Sequence, residues 1–205
     1  MPAEFPLGPV PLAALVLVVA FLLGSVPFGA IFARGRGVDI QQEGSGNIGA
    51  TNVARTLGKK LGALVLLLDA VKGAAPTAAA AWLATRGAID PWAAAGAGLL
   101  AVVGHCYTPW LGFRGGKGVA TALGVFLVLD PIATAVSVGV FGLVYAVFRK
   151  ASLGSLLGAL LMPVTLWWRG AEAPALALAV ATVMLILWRH RDNIARLRQG
   201  REHDV

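Results

Sequence analysis

Residues 9–33 read PVPLAALVLVVAFLLGSVPFGAIFA, a run without a single charged side chain. A hydrocarbon core about 30 Å thick is crossed by roughly 20 apolar residues of helix, in which every backbone polar group is paired within the segment. The run therefore reads as a transmembrane helix, and the rest of the chain follows it. Of 205 residues, 58% are hydrophobic and only 13% are charged, whereas a soluble domain carries about 25% charged residues. Such a chain cannot cover its surface in water. The apolar runs are continuous rather than alternating, which argues for helices and against a barrel. Their many Gly and Ala residues suit close helix packing in lipid. The expected fold is all-α and polytopic, a single membrane-embedded domain over residues 1–205.

Further spans are expected at 61–85, 91–111, 118–130, 132–148, 152–168 and 174–189, seven in all. The segment 118–130 is short, since thirteen helical residues rise only ~20 Å, and a half-span or re-entrant segment is the alternative. Asp130-Pro131 reads as a turn, because proline disfavours helix at the residue before it. The N-terminal MPAEFPLGPVP lacks the basic region of a signal peptide. Cys106 is the only cysteine, so no intramolecular disulfide is expected.

The net charge of +7 is explained by placement. With seven spans, Arg34, Arg36, Arg55, Lys59, Lys60, Arg114, Lys117, Arg149, Lys150, Arg189, Arg191, Arg196, Arg198 and Arg201 share one side; only Arg86 and Arg169 face the other, and Lys72 lies within a span. The positive-inside rule then puts the N-terminus outside and the C-terminus in the cytoplasm. No nucleic-acid partner is needed to account for the charge.

The polar segments fall on that same cytoplasmic side. GSGNIGATNVAR, residues 44–55, offers backbone N–H groups at Gly44 and Gly46, side-chain donors at Ser45, Asn47, Thr51 and Asn52, and a guanidinium at Arg55. Glycines let a backbone approach an anion, a following helix adds its positive end, and arginine grips phosphate through two donors. The plainer reading is a glycine-rich turn. In GHCYTPWLGFRGGKGVAT, residues 104–121, Gly115, Gly116, Lys117 and Gly118 lead into a helix like a phosphate-binding loop. It is not a Walker A motif, because Leu111 stands where glycine is required and Gly118 replaces Ser/Thr, so ATP is not inferred. His105 alone reads first as a structural hydrogen-bonding residue.

ASLGSLLG, residues 151–158, puts Ser152 and Ser155 on one helix face; Ser152 reads as a helix cap and Ser155 as a substrate contact. In RHRDNIARLRQGRE, residues 189–202, His190, Asn193, Ile194 and Leu197 would share one helical stripe, with Arg191, Arg198 and Arg201 elsewhere. The pattern is that of an amphipathic surface helix, but a His and an Asn on the inward stripe suit a site. Asp69 and Lys72 are an i, i+3 pair inside a span, where ionisable groups are costly and are either paired for structure or support a site. No Cys/His or carboxylate cluster has metal-ligand spacing, so neither metal nor other cofactor is expected.

Taken in order, GSGNIGATNVAR, LDAVKG, GFRGGKGVAT, ASLGS and HRDNIARLRQGRE closely resemble the bacterial membrane glycerol-3-phosphate acyltransferases that use acyl phosphate, over nearly the whole chain. Arg114 stands where a lysine is also familiar. The resemblance implies a seven-helix, multi-pass enzyme of the inner membrane with its active site facing the cytoplasm. That enzyme moves a fatty acyl group from acyl phosphate to the 1-hydroxyl of sn-glycerol 3-phosphate, the first step of phospholipid synthesis, releasing lysophosphatidic acid and phosphate. It assigns Ser45, Arg55 and Lys117 to phosphate binding and transition-state support, and carries over His190 and Asn193 as essential. His190 or a substrate phosphate would accept the proton. The glycine loop around Lys117 is expected to take glycerol 3-phosphate, and Glu202 to be structural. The implied partners are the two substrates and membrane lipid, with no obligate protein partner. The His-x-x-x-x-Asp pair of many acyl-CoA-dependent glycerolipid acyltransferases is missing, since Pro109 and Trp110 occupy the fourth and fifth positions after His105. The competing readings are a transporter or binding protein for an organic phosphate and a lipid-binding scaffold; one-sided polar loops and the absence of a repeat speak against the first.

Overall fold

The computed structural model describes residues 8–202, so most of the N-terminal segment read for a signal peptide lies outside the described residues. Ten α-helices and a short 3-10 turn at Pro109–Leu111 are found among them. The helices are α1 Pro9–Ser25, α2 Phe28–Arg34, α3 Ala50–Leu57, α4 Lys59–Thr85, α5 Pro91–Cys106, α6 Val119–Leu129, α7 Pro131–Phe148, α8 Ala151–Trp168, α9 Ala173–Arg189 and α10 Arg191–Arg198.

The expected first span is interrupted. Proline disfavours helix at the residue before it, and Val26, just before Pro27, takes ψ 117°, so α1 and α2 meet at a break. The expected third span also stops early. Thr108 is extended before Pro109, and α5 ends at Cys106. Pro9–Arg34, Lys59–Thr85, Pro131–Phe148 and Ala151–Trp168 are long and apolar enough to cross a membrane by length and composition; α9 with α10, bent by 59°, makes a fifth. Leu15, Val18, Leu67, Leu143, Val147, Val164 and Met184 lie exposed along these helices, an apolar exterior that suits lipid and not water. The protein is an all-helical, multi-pass integral membrane protein.

Packing is by backbone approach where the sequence supplies glycine. A Cβ at Gly24 would lie 2.1 Å from Ala101 O and one at Gly104 2.3 Å from Phe21 O, which locks α1 on α5. Gly73 and Gly124 press α4 on α6 in the same way, at 2.2 Å from Thr121 O and 1.8 Å from Ala70 O. Small residues let helices approach closely enough for dispersion to hold them where lipid offers no hydrophobic drive. At the end of α6, Asp130 caps α7 through Ala133 N at 2.9 Å and accepts from Arg169 Nε at 2.6 Å. At the opposite end of α8 stands Lys150, whose Nζ donates to Glu202 O. The polar loops and the C-terminal segment therefore gather at one end of the bundle.

Candidate active site

The Gly44–Arg55 loop is built around one side chain. Asn52 is 2% exposed. Its Oδ1 accepts from Ser45 N at 2.9 Å, and its Nδ2 donates to Glu43 O and Asn47 O, both at 2.9 Å. Asn47 Oδ1 takes the Gly49 N–H, and Gly46 N donates to Glu43 O. Asn52 and these backbone donors, expected to face an anion, are thus occupied by the loop itself. A buried polar group needs a partner, and here the loop supplies them all. Gly44, at φ +58°, is needed because a Cβ there would sit 2.4 Å from Asn52 Oδ1. Ser45, Asn47, Thr51, Asn52, Arg55 and the start of α3 all line the cavity.

The second loop is held from both sides. Gly115 N and Gly116 N donate to Cys106 O and His105 O, at 3.1 and 3.0 Å. Their carbonyls accept from Arg189 Nη2 and Nε, at 2.8 and 3.0 Å. The expected backbone donors of Gly115 and Gly116 are therefore engaged in fixing the turn. Gly118, at φ +85°, starts α6 in a conformation that side chains resist. The result is to aim Lys117 at the C-terminal segment.

There, Lys117 Nζ donates to Asn193 Oδ1 and Asn193 Nδ2 donates to Glu202 Oε1. Arg196 Nε donates to Glu202 Oε2 at 2.9 Å. Burial alone would push the Glu202 carboxyl up, but hydrogen bonds from Asn193 and Arg196, with the Arg196 charge, hold it below the usual carboxylate range. Burial pushes the Lys117 amine down to about 8, with Glu202 pulling the other way. Ser152 is not the helix cap expected; α8 is preceded by Lys150, and Ser152 is buried in its first turn facing Glu202. His190 is not on a continuous stripe with Asn193 either, because it stands at the break between α9 and α10. His190 Nδ1 lies 2.8 Å from Ile186 O. A carbonyl only accepts, so Nδ1 carries the proton and Nε2 is the ring's free acceptor.

These groups enclose a chamber of about 150 Å³, lined by Ser45, Thr51, Arg55, Asp69, His105, Lys117, Gly118, Ser155, His190 and Asn193 among others. On one side it meets a polar vestibule of about 350 Å³ edged by Gln41, Arg114, Arg191 and Arg196, to which Gly46, Asn47 and Gly115 also contribute. On the other it continues, through Thr51, Leu66, Val119, Phe141 and Ser155, into an apolar groove of about 400 Å³ with Phe126, Tyr145, Met162 and Ile186 in its wall. Gly44 and Gly116 line neither chamber nor vestibule. Water-side mouth, cationic chamber and greasy groove lie in series. Sequence reasoning missed Arg189, counted only as a loop cation, and left His105 as a structural residue.

The family model for glycerol-3-phosphate acyltransferase matches residues 14–200. The chain belongs to the glycerol-3-phosphate acyltransferase family. Among curated relatives, the glycerol-3-phosphate acyltransferase of an Anaeromyxobacter species is 49% identical, covering 92% of this chain and 94% of the relative. That of Geobacter sulfurreducens is 45% identical over 90% and 93%. Two solved structures of PlsY, an integral membrane glycerol 3-phosphate acyltransferase, share the fold. Its glycerol 3-phosphate form has a TM-score of 0.89 at 41% identity, covering 94% of this chain and 95% of that one. Its lysophosphatidic acid form has a TM-score of 0.86 at 42% identity over 94% of each. The chain is thus a membrane acyltransferase of phospholipid synthesis, and acylating glycerol 3-phosphate yields lysophosphatidic acid. The transporter and scaffold readings fall.

Proposed function

We propose that this acyltransferase takes its acyl group from acyl phosphate and delivers it to the 1-hydroxyl of sn-glycerol 3-phosphate. The observation that carries the reading is the chamber itself, where Arg55 and Lys117 converge between a polar mouth and an apolar groove. Two phosphates need cations on the water side, and the acyl chain needs the groove. The lysine loop holds glycerol 3-phosphate, and the Gly44–Arg55 loop, with Ser45, holds the donor phosphate. The hydroxyl oxygen attacks the carbonyl carbon, the bond from that carbon to the bridging oxygen breaks, and phosphate leaves with the electron pair. His190 Nε2 accepts the hydroxyl proton. Cations aimed at the developing charge supply most of the acceleration, and phosphate is a good leaving group, so no covalent enzyme intermediate is required.

We further propose seven crossings, with the N-terminus outside and the chamber on the cytoplasmic face of a bacterial inner membrane. The Asp130–Arg169 pair supports this, because it brings the end of α6 to the end of α8 remote from Lys150. The short α6 then starts deep, at the chamber, and finishes on the far side.

Purified protein in detergent, given glycerol 3-phosphate and each donor in turn, tests the reading. Acyl phosphate should support lysophosphatidic acid formation, and acyl-CoA and acyl carrier protein should not. Efficient transfer from acyl-CoA with none from acyl phosphate would overturn it.

A further inference from the structure

In the wall of the chamber, where Asp69 and His105 line it, lies a charged cluster that the proposed reaction does not use. Asp69 and Lys72 of α4 are paired at 2.8 Å, with side chains 2% and 4% exposed, and His105 Nδ1 of α5 is 3.6 Å from the same Asp69 oxygen. Ionisable groups at such a depth are costly and are kept where they do something. Two contacts lead outward from this cluster, one to each loop.

The first runs through His105. A Cβ on Gly116 would lie 2.0 Å from His105 Nε2, so the imidazole edge bears directly on the Gly115-Gly116 turn. The backbone of the same histidine accepts the Gly116 N–H. With Asp69 at one edge of the ring and Gly116 at the other, the ring spaces the loop that aims Lys117. The second runs through Lys72. Its Nζ donates to Val26 O at 2.6 Å and stands 5.7 Å from the Phe28 ring, which fixes the break between α1 and α2. From there α2 presses on the other loop, where a Cβ at Gly29 would be 1.9 Å from Ile48 O. One carboxylate therefore sits at the node from which both phosphate loops hang.

We propose that Asp69, Lys72 and His105 are positioning residues that set the two loops in register, His105 acting on the Lys117 loop and Lys72 on the Ser45–Arg55 loop. The substrate assignments below rest on the proposed function, with glycerol 3-phosphate on the Lys117 loop and acyl phosphate on the other. A misplacement of about an ångström costs up to about a hundredfold in rate, so the variants should show in kinetics without unfolding.

The test is steady-state kinetics of purified His105→Asn, Lys72→Met and Asp69→Asn in detergent, each first shown to melt near the parent temperature. His105→Asn should raise KM for glycerol 3-phosphate about tenfold with a smaller effect on acyl phosphate; Lys72→Met should do the reverse; Asp69→Asn should raise both. Lys72→Arg, which keeps a donor and a cation, should recover most of the loss. Gly116→Ala removes no hydrogen bond or charge, and should copy His105→Asn in the parent but add no further loss on a His105→Ala background. That cycle stands even where Asp69→Asn fails to fold. If the two KM effects exchange substrates, the positioning claim holds and the loop assignments of the proposed function fall. Equal losses for both substrates in every variant, tracking only the drop in melting temperature, or additive effects of Gly116→Ala and His105→Ala, would overturn the positioning claim.

Discussion

Lys117 and Asn193 are 76 residues apart in the chain, and the Lys117 ammonium donates to Asn193 Oδ1. The other end of the amide donates to Glu202, which Arg196 also holds. Both polar atoms of Asn193 thus serve an ammonium–amide–carboxylate relay, so this side chain acts through Lys117. Asn193→Ala should lower kcat/KM by about a hundredfold in the parent. On a Lys117→Ala background it should cost less than about twofold, since the pair works as a unit. Full additivity would show that Asn193 acts on substrate directly.

The Lys117 amine, pushed by burial down to about 8, loses its proton and its charge as pH rises through that value. The cationic form is the one that grips phosphate, so kcat/KM should fall as pH rises through about 8. Lys117→Arg, whose guanidinium stays charged, should lose this alkaline limb while remaining a poor enzyme, because a planar fork does not replace a compact ammonium. An unchanged limb in Lys117→Arg would assign it to another group.

Arg189 holds the Gly115 and Gly116 carbonyls at 2.8 and 3.0 Å and lies over the Tyr107 ring at 5.2 Å. A lysine at this position cannot make both carbonyl contacts in that geometry. Arg189→Lys should therefore reduce kcat/KM about tenfold with little change in expression or membrane insertion. Parent-like kinetics would mean that the turn holds without its clamp.

The loop cations and the ends of α6 and α8 predict one-sided chemistry. Cysteines at Thr56 and Gln199 should react with an impermeant thiol reagent only after the inner membrane is opened, whereas one at Ala3 should react before it. Cys106 is buried and should stay silent. Labelling of Gln199 from outside would remove a single cytoplasmic site.

Much of this was legible in the residues. Apolar runs give membrane helices because lipid leaves no other way to pair the backbone, and Pro27 and Pro109 explain the two interruptions. The loops of Ser45, Arg55 and Lys117 stood out because clustered glycines, hydroxyls, amides and cations interrupt the apolar runs there. What stayed hidden was where each donor goes. A glycine-rich loop looks like a set of free N–H groups, yet Asn52, Cys106 and His105 take up those of Ser45, Gly115 and Gly116. Arg189 read as a topogenic charge because its partners are 73 and 74 residues away. Helical periodicity put His190 and Asn193 on one stripe and both do line the chamber, but it could not show that the helix breaks at His190 between α9 and α10.

The central claim is that the acceptor hydroxyl attacks the carbonyl carbon of acyl phosphate directly, within the chamber of Arg55, Lys117 and His190. Direct attack needs the acceptor in place before the acyl–oxygen bond can break, so purified enzyme given acyl phosphate and isotopically labelled inorganic phosphate, without glycerol 3-phosphate, should put no label into acyl phosphate. Label appearing in acyl phosphate under those conditions would show an acyl-enzyme formed before the acceptor binds and contradict the account.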